Sequence, residues 1–438
     1  MTSLTHPVSV TRRSAAVRTA GAVRSEVGLV RLSLGVVGLH IVDDNFLQPE
    51  SGTSAIDHLA SGLVPLAIVT AVAVVYGRAR AGVRATLALL FGAFGVLFGT
   101  EAAYYASNVG LSGDDYTGLL SIAAGVLLLA VGVVTLWRSR RKTGNLMWRY
   151  GRRALLVVAG LLVVAFLVFP VSLAYVVTHM APQRVPAPTL GAEYEEVQFR
   201  TSDGLLLKGW YVPSKNRAAV ISFPGRSGTR LQARMLVRHG YGVLLFDRRG
   251  EGESEGDWNV FGWYGERDLH AAARFLQSRS DVDPERIGGI GRSVGGEMLI
   301  GAAAESDAFK AVVSEGSSGR SIRDDIANHG VGLPQLPALA TQAVLTTATA
   351  VFNNNLPPPD LESLSRRISP RAVFFIYGEN GQGGSEKKPN ERFYAAAGDP
   401  KEIWEVPNAQ HVGGITTEPA EYERRVLAFF DAALRPIP

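Results

Sequence analysis

A serine between two glycines, in the segment Gly291-Arg292-Ser293-Val294-Gly295, has the G-x-S-x-G spacing of a catalytic nucleophile. The segment follows a short apolar run, "RIGGI", and opens a helix-like stretch, "GGEMLIGAAAE". A strand-to-helix turn of this kind is so tight that the residues two before and two after the serine must be small. The pattern therefore predicts Ser293 as a nucleophile at the carboxyl edge of a sheet, with the backbone N–H of Val294 as an oxyanion donor.

The same glycines allow a second interpretation, a loose dinucleotide-binding fingerprint. In it Gly289, Gly291 and Gly295 form the glycine-rich turn, and Glu315 ends the next strand as the ribose-binding acid. That interpretation requires the motif on the first strand of its domain, whereas several strand-like runs precede it here. We therefore expect a reaction that needs no organic cofactor and no metal.

A serine at neutral pH is a weak nucleophile and needs a general base within hydrogen-bonding reach. The second half of the chain offers four histidines, of which His239 and His270 lie in helical patterns and His329 in a segment predicted to be a lid. His411 stands in "NAQHVGG", between the last strand-like and the last helix-like run. In a doubly wound sheet that loop opens at the same edge as Ser293, so His411 is the predicted base.

Residues from about 197 to 430 resemble the α/β-hydrolase fold, specifically serine hydrolases of the dienelactone-hydrolase type. "FDRRGEGESEG" is similar to that group's Asp-x-Arg-Gly-x-Gly-x-Ser segment, "GRSVGGE" to its nucleophile elbow and "NAQHVGG" to its histidine loop. The resemblance implies acyl transfer by a Ser-His-acid triad but specifies no substrate. Where such families have His-Gly after the third strand, this chain has Phe223-Pro224-Gly225-Arg226, so the second oxyanion donor would be the backbone N–H near Arg226.

The acid of the triad departs from the pattern of the family. The family places an aspartate three residues after the glycine that ends the seventh strand; here that glycine is Gly378, and the third residue on is Gly381. Glutamates on the same glycine-rich loop can orient His411 instead. We expect Glu386, because the long loop gives it reach, with Glu379 as the alternative acid.

Two further carboxylates remain to be placed. Glu315 ends the sixth strand-like run and is a third candidate for the acid. Asp247 belongs to the arginine–glycine segment, and we expect it to be a structural hydrogen-bonding residue.

Strand-like and helix-like segments alternate after a proline-rich stretch, "APQRVPAPTLG". This alternation predicts an α/β fold with a doubly wound, mostly parallel sheet and helices on both faces. Residues 320–367 interrupt the alternation with helical and proline-rich sequence, and we expect them to form a lid over one end of the sheet. We place a linker at residues 179–192 and the hydrolase domain at residues 193–438.

The first part of the chain predicts an all-α transmembrane bundle over residues 26–178. Its apolar runs are close to the roughly 20 residues that a helix needs to cross a bilayer. Four runs carry no charge, and the first in the chain is shorter and contains Arg31 and His40. The five runs are residues 27–42, 59–77, 85–100, 116–137 and 154–175.

The connectors between these runs predict the direction of insertion. Arginines and lysines fill the N-terminal arm, residues 1–25, and the connectors after the second and fourth runs, whereas the other two connectors are acidic. Basic residues collect on the cytoplasmic side. Five spans would therefore place the N-terminus in the cytoplasm and the hydrolase domain outside the cell membrane. The first apolar run lacks an A-x-A-like cleavage site, so we expect no removable signal peptide.

A polar cluster at the predicted outer ends of the first two spans has two interpretations. Histidines and carboxylates can bind a metal such as zinc, and ionisable groups at membrane depth are often functional. We favour the other interpretation, helix capping and charge pairing at a wet interface. The members are His40, Asp43, Asp44, Asp57 and His58, with Glu101 nearby.

The sequence as a whole predicts a membrane-anchored serine hydrolase that cleaves small-molecule or lipid acyl esters. The absence of cysteine excludes disulfides and a cysteine nucleophile, and a net charge of +4 does not call for nucleic acid. Two alternatives remain: a serine peptidase on the same fold, and a non-catalytic membrane sensor or scaffold with a degenerate hydrolase domain. The sequence does not determine the oligomeric state.

Overall fold

The computed structural model describes residues 25–108, 110–111, 113–139, 145–181, 185–186, 188–223 and 230–435. The chain divides into two compact units. The first comprises Met1–Pro49 and Ser54–Ser172, and the second comprises Glu50–Thr53 and Leu173–Pro438.

The first unit is helical. Its core is formed by apolar side chains such as Val30, Leu34, Val37 and Leu128, whereas many other leucines and valines of the unit are exposed. The helices are α1 (Glu26–Val42), α2 (Leu59–Val75), α3 (Ala81–Asn108), α4 (Gly113–Arg138) and α5 (Leu146–Val163). α5 continues through a π-helical turn, Val164–Val168, into α6 (Phe169–Thr178), whose residues from Leu173 onward belong to the second unit.

Glycines let α3 and α4 pack backbone to backbone. A Cβ added at Gly99 would lie 2.4 Å from the carbonyl oxygen of Gly118, and one added at Gly125 would lie 2.7 Å from that of Gly92. Small residues at such spacing allow close approach of helices where lipid removes the hydrophobic driving force between them. The packing of this pair is therefore typical of a membrane bundle.

Among the described residues, four helices are long and apolar enough to cross a membrane. They are Leu59–Arg78, Ala81–Asn108, Gly113–Arg138 and Leu146–Thr178. The run predicted at residues 27–42 forms α1, a helix of 17 residues that is not among these four. The predicted count of five spans is therefore not supported by length and composition, and the orientation that depends on it stays a prediction.

The polar cluster predicted near the ends of the first two helices is held by local hydrogen bonds. His40 Nδ1 lies 3.2 Å from the hydroxyl of Thr117, and that hydroxyl lies 2.8 Å from Asp43 Oδ2. Asp57 accepts hydrogen bonds from the backbone and side chain of Ser54. Within the described ranges no group of three or more His, Asp or Glu residues is arranged to hold a metal ion.

The second unit contains an eight-stranded sheet with strand order β1-β2-β4-β3-β5-β6-β7-β8. β2 pairs antiparallel with β1 and β4, and every other pair is parallel. This is the topology of the α/β-hydrolase fold and confirms the predicted fold class. The strands are β1 (Glu195–Arg200), β2 (Leu206–Val212), β3 (Ala219–Phe223), β4 (Gly242–Phe246), β5 (Ile287–Arg292), β6 (Ala311–Glu315), β7 (Ala372–Gly378) and β8 (Lys401–Val406).

Helices cover both faces of the sheet, because the parallel strands are apolar on both sides. Burying each large apolar side chain stabilises the fold by about 1.5–3 kcal/mol. One face packs against α8 (Gly265–Gln277), α9 (Val294–Glu305), α12 (Leu361–Ser365) and α13 (Lys387–Ala396); the other packs against α7 (Leu231–Arg238) and α15 (Pro419–Ala433). A short helix, α14 (Gly414–Thr417), precedes α15.

The segment predicted as a lid lies between β6 and β7 and contains α10 (Ile322–His329), α11 (Leu336–Phe352) and α12. Leu361 and Leu364 of α12 are buried in the core of the sheet. The exposed part of the segment therefore ends before α12, earlier than residue 367.

Candidate active site

Ser293 occupies the sharp turn between β5 and α9. Its φ of 51° and ψ of −128° are unusual for a residue with a side chain and cost of order 1–3 kcal/mol. The turn is held by a hydrogen bond of 2.7 Å from the Ser293 N–H to the carbonyl oxygen of Glu315. A Cβ at Gly291 would lie 2.4 Å from the carbonyl oxygen of Gly295, so the turn requires glycine there, as the motif predicts.

His411 lies on the loop after β8 and faces the serine. Its Nε2 lies 2.9 Å from Ser293 Oγ, and its Nδ1 hydrogen-bonds with Glu386 Oε1. A carboxylate only accepts hydrogen bonds, so Nδ1 carries the proton and Nε2 is free to accept one from the serine. The structure thus brings together the three residues that the sequence favours as nucleophile, base and acid.

Glu386 reaches the histidine through space that Gly381 leaves empty. The Glu386 side chain is fully buried, and its Oε2 accepts a hydrogen bond of 3.2 Å from the N–H of Gly378. A Cβ at position 381 would lie only 2.2 Å from that oxygen. Position 381, where the resemblance implies an aspartate, is a glycine here, and the carboxylate of Glu386 lies against it.

Glu379, the alternative acid, is directed to a different partner. Its Oε2 accepts a hydrogen bond of 2.8 Å from the backbone N–H of Asn408. Asn408 has a φ of 59°, in the left-handed region, and lies three residues before His411. Glu379 therefore braces the start of the histidine loop.

Glu315, the third candidate for the acid, connects the turn that carries Ser293 with the loop that carries His411. Its carboxylate accepts hydrogen bonds from the N–H of Gly414, at 2.9 Å, and the hydroxyl of Tyr422, at 2.7 Å. Its backbone carbonyl holds Ser293, as described above. Burial raises the pKa of the Glu315 carboxyl above its usual value. One residue thus ties the nucleophile turn to the loop that carries His411, a role that the sequence did not indicate.

Of the two predicted oxyanion donors, the structure describes the N–H of Val294. Val294 is the first residue of α9, and the first four N–H groups of a helix have no intrahelical partner. The positive end of the helix dipole also lies there. Arg226 lies outside the described residues.

Two polar residues near the site escaped the sequence analysis. Asn390 is buried, and its amide nitrogen donates to the carbonyl oxygens of Glu386, at 2.8 Å, and Ser317, at 2.9 Å. Glu297 of α9 accepts hydrogen bonds from the backbone N–H groups of Ser318 and Gly319. Asn390 lies four residues after Glu386, and Glu297 lies four residues after Ser293. This spacing of about one helical turn is the sequence signal that could have predicted both.

Asp247 belongs to the network that holds the arginine–glycine segment. It is buried, and its Oδ2 lies 3.4 Å from the N–H of Glu253. In the same segment Arg249 forms ion pairs with the buried Asp268, at 2.7 Å, and with Asp203, at 3.0 Å. These contacts are consistent with a structural role for Asp247.

Comparisons with known proteins match the second unit. The family model described as X-Pro dipeptidyl-peptidase (S15 family) matches residues 178–418. The uncharacterized protein Rv2307c of Mycobacterium tuberculosis is 31% identical over 243 residues, which cover 52% of this chain and 78% of that protein. The uncharacterized protein YfhR of Escherichia coli strain K12 is 24% identical over 261 residues, or 55% of this chain and 82% of that protein.

Solved structures also match part of the chain. The esterase Pf2001 of Pyrococcus furiosus is 23% identical, with a TM-score of 0.46, and the match covers 58% of this chain and all of the esterase.

Proposed function

Because the chain belongs to the X-Pro dipeptidyl-peptidase (S15) family, which supports hydrolase activity, we propose that it is a membrane-anchored serine hydrolase that cleaves acyl esters. Ser293 is the nucleophile, His411 the general base and Glu386 the acid that orients the histidine. The observation that carries this proposal is the pair of hydrogen bonds that joins Ser293 Oγ, both nitrogens of His411 and the buried Glu386 carboxylate.

The mechanism follows from the positions of these atoms. Ser293 Oγ attacks the acyl carbonyl while His411 Nε2 takes its proton, a step for which a positioned base contributes about 10²–10⁴-fold in rate. The imidazolium that forms is stabilised by the Glu386 carboxylate at Nδ1. The N–H of Val294, with that of Arg226 as the second donor, binds the oxyanion. His411 then protonates the leaving group, and water releases the acyl group by the same steps in reverse.

A serine peptidase remains the second candidate, because the matched family is described as a peptidase family. The two candidates separate on a substrate panel that compares p-nitrophenyl esters of increasing acyl length with X-Pro p-nitroanilides, using Ser293→Ala protein as the blank. Serine peptidases also cleave activated esters, so the anilide decides: we expect Ser293-dependent hydrolysis of the esters and none of the X-Pro anilide. Hydrolysis of the X-Pro anilide that Ser293→Ala abolishes would replace the esterase proposal by the peptidase.

The alternative of a non-catalytic protein rests on the absence of an aspartate at position 381. The contact between Glu386 and His411 supplies an acid from elsewhere on the loop and argues against a degenerate site. Failure of the purified protein to react with a fluorophosphonate would restore that alternative.

We further propose that the hydrolase unit lies outside the cell and that α1 also crosses the membrane. The 17 residues of α1 are followed directly by a π-helical segment, Asp43–Leu47, of five residues. A helix of this length is at the short end of the range of about 17–25 residues that crosses a bilayer, and the π-helical turn with Asp43 and Asp44 would lie at the outer surface. Without that span, the basic N-terminal arm and the acidic connector after α1 would lie on the same side.

Fluorophosphonate labelling of intact cells tests this orientation. We expect a membrane-impermeant probe to label the wild type and not Ser293→Ala. Labelling by a permeant probe alone would place the hydrolase unit in the cytoplasm, while leaving the serine chemistry intact.

A further inference from the structure

Beyond the helix that ends at Thr178, the exposed large apolar side chains of the second unit lie in the lid segment. Within the part of the chain that the structure describes, none lies beyond residue 178 except between residues 326 and 356. Leu333 is 83% exposed, Val331 62% and Leu336 50%. We call these three residues the lid tip. An exposed apolar patch on an otherwise polar domain is typical of an interaction site.

The sequence around the lid tip carries no charge. Residues 330–359 contain no Asp, Glu, Lys, Arg or His, whereas Asp325 and His329 precede the stretch and Asp360 follows it. Protein surfaces that face water usually carry interspersed charges, which keep the molecule soluble. The lid segment is both exposed and uncharged in this stretch. Such a surface is suited to bind an apolar partner, because it offers no charges for an ionic partner to pair with.

The C-terminal end of α11, the long helix of the lid segment, packs against the C-terminal end of the apolar helix Leu146–Thr178. Phe352, the last residue of α11, contacts the ring of Tyr175 edge to face, with centroids 5.4 Å apart, and lies 6.0 Å from the ring of His179. All three residues belong to the second unit. Tyr175 lies in the last turn of Leu146–Thr178, one of the four helices able to span a membrane.

This contact indicates which apolar partner is within reach of the lid. Tyrosines near the ends of membrane spans lie at the level of the lipid headgroups. Phe352 is therefore close to the membrane surface when Leu146–Thr178 spans the bilayer. The 17 residues of α11 make a helix about 25 Å long, short enough for its other end to contact the same surface.

We propose that the lid tip is a second membrane-docking surface, whose partner is the lipid bilayer itself. Val331, Leu333 and Leu336 insert to the depth typical of interfacial segments, about 5–10 Å into the boundary between headgroups and acyl chains. Apolar burial supplies the attraction, and no specific headgroup is required. The surface is distinct from the membrane-spanning helices and does not depend on the chemistry of Ser293.

The absence of cysteine from the chain makes this proposal directly measurable. The full-length protein carrying Leu333→Cys is labelled with an environment-sensitive fluorophore and reconstituted into phosphatidylcholine–phosphatidylglycerol vesicles. Quenching is measured with lipids that carry a quencher high on the acyl chain, with lipids that carry it near the chain terminus, and with aqueous iodide. The control is Asp307→Cys, because the Asp307 side chain is 93% exposed and lies outside the lid.

We expect the label at position 333 to be quenched most strongly by the shallow lipid quencher and weakly by iodide. The label at position 307 should show the reverse order. Strong iodide quenching at both positions would overturn the proposal. Protection from iodide without lipid quenching would also overturn it, because it would indicate a protein partner such as a second copy of this chain.

Fluorophosphonate reactivity of each labelled protein separates this result from the catalytic proposal. A reactive Ser293 shows that the hydrolase unit is folded, whatever the quenching result. Leu336→Cys serves as a second lid-tip variant if Leu333→Cys fails to fold.

Discussion

The turn that carries Ser293 and the loop that carries Glu386 both hold an oxygen atom against His411, but they do so in different ways. At the turn, residues adjacent in the chain do the positioning: Gly291 makes room, and α9 starts at the next residue. On the loop, the carboxylate comes from the eighth residue after Gly378. The position of Ser293 is thus set by local sequence, whereas the position of the Glu386 carboxylate is set by which side chain the fold directs into the available space.

The largest expected effect is at the locally determined position. Ser293→Ala removes the nucleophile, and loss of the serine from such a site lowers kcat by about 10⁴-fold or more. The unfolding temperature should stay close to that of the wild type, because the backbone of the turn is unchanged. Ester hydrolysis by purified protein and thermal melts measure the two quantities. Activity near that of the wild type would show that Ser293 is not the nucleophile.

Glu386→Gln should have the next largest effect. The amide cannot hold His411 in the tautomer that frees Nε2, and a comparable change at a triad acid costs about 10⁴-fold in kcat. Glu379→Gln, a matched change on the same loop, should retain most of the activity, because Glu379 binds the N–H of Asn408. The measurement is kcat and KM for both variants. The opposite ranking would make Glu379 the acid.

Gly381 provides a sharper test of how the acid is positioned. Gly381→Ala places a methyl group against the Glu386 carboxylate, and a displacement of about 1 Å in a catalytic group can cost 10²-fold in rate. We expect kcat to fall by about that factor, with KM little changed.

Placing an acid at position 381, where the resemblance implies one, completes this test. The double variant Gly381→Asp with Glu386→Ala returns a carboxylate to the same space and should be more active than Glu386→Ala alone. Equal activity of the two proteins would show that position 381 cannot supply the acid.

The smallest expected effect is that of Glu315 on the pH dependence of the free energy of unfolding. Burial raises the pKa of its carboxyl in the folded protein, whereas the unfolded chain titrates near the usual value of about 4.3. Between the two values the folded state binds a proton that the unfolded state does not bind. The contribution of Glu315 to the free energy of unfolding therefore falls as pH rises through this window.

Glu315→Gln removes that titration and provides the comparison. Thermal or urea unfolding of both proteins across pH should show the wild type losing stability relative to the variant as pH rises from about 4. A difference that is independent of pH would contradict the raised pKa.

Much of the fold could be predicted because the determining signals are local. Alternating strand-like and helix-like runs gave the α/β fold, and charge-free runs gave four helices able to span a membrane. The short first run shows the limit of this reasoning. Its helix, α1, is at the short end of the range that crosses a bilayer and is followed by the π-helical turn Asp43–Leu47, a change of helix type that no residue in the run indicates.

The sequence by itself determined the elbow at Ser293 and the loop of His411, because each depends on residues within a few positions along the chain. The sequence favours Glu386 over Glu379 and Glu315 only by the reach of its loop, and only the tertiary structure shows its carboxylate against His411. All three glutamates lie near the carboxyl ends of neighbouring strands, and which of them contacts the histidine depends on free volume at Gly381 and on partners such as Asn408 and Tyr422. Side-chain volume and hydrogen-bond partners across the chain are properties of the packed molecule, so spacing along the sequence cannot specify them.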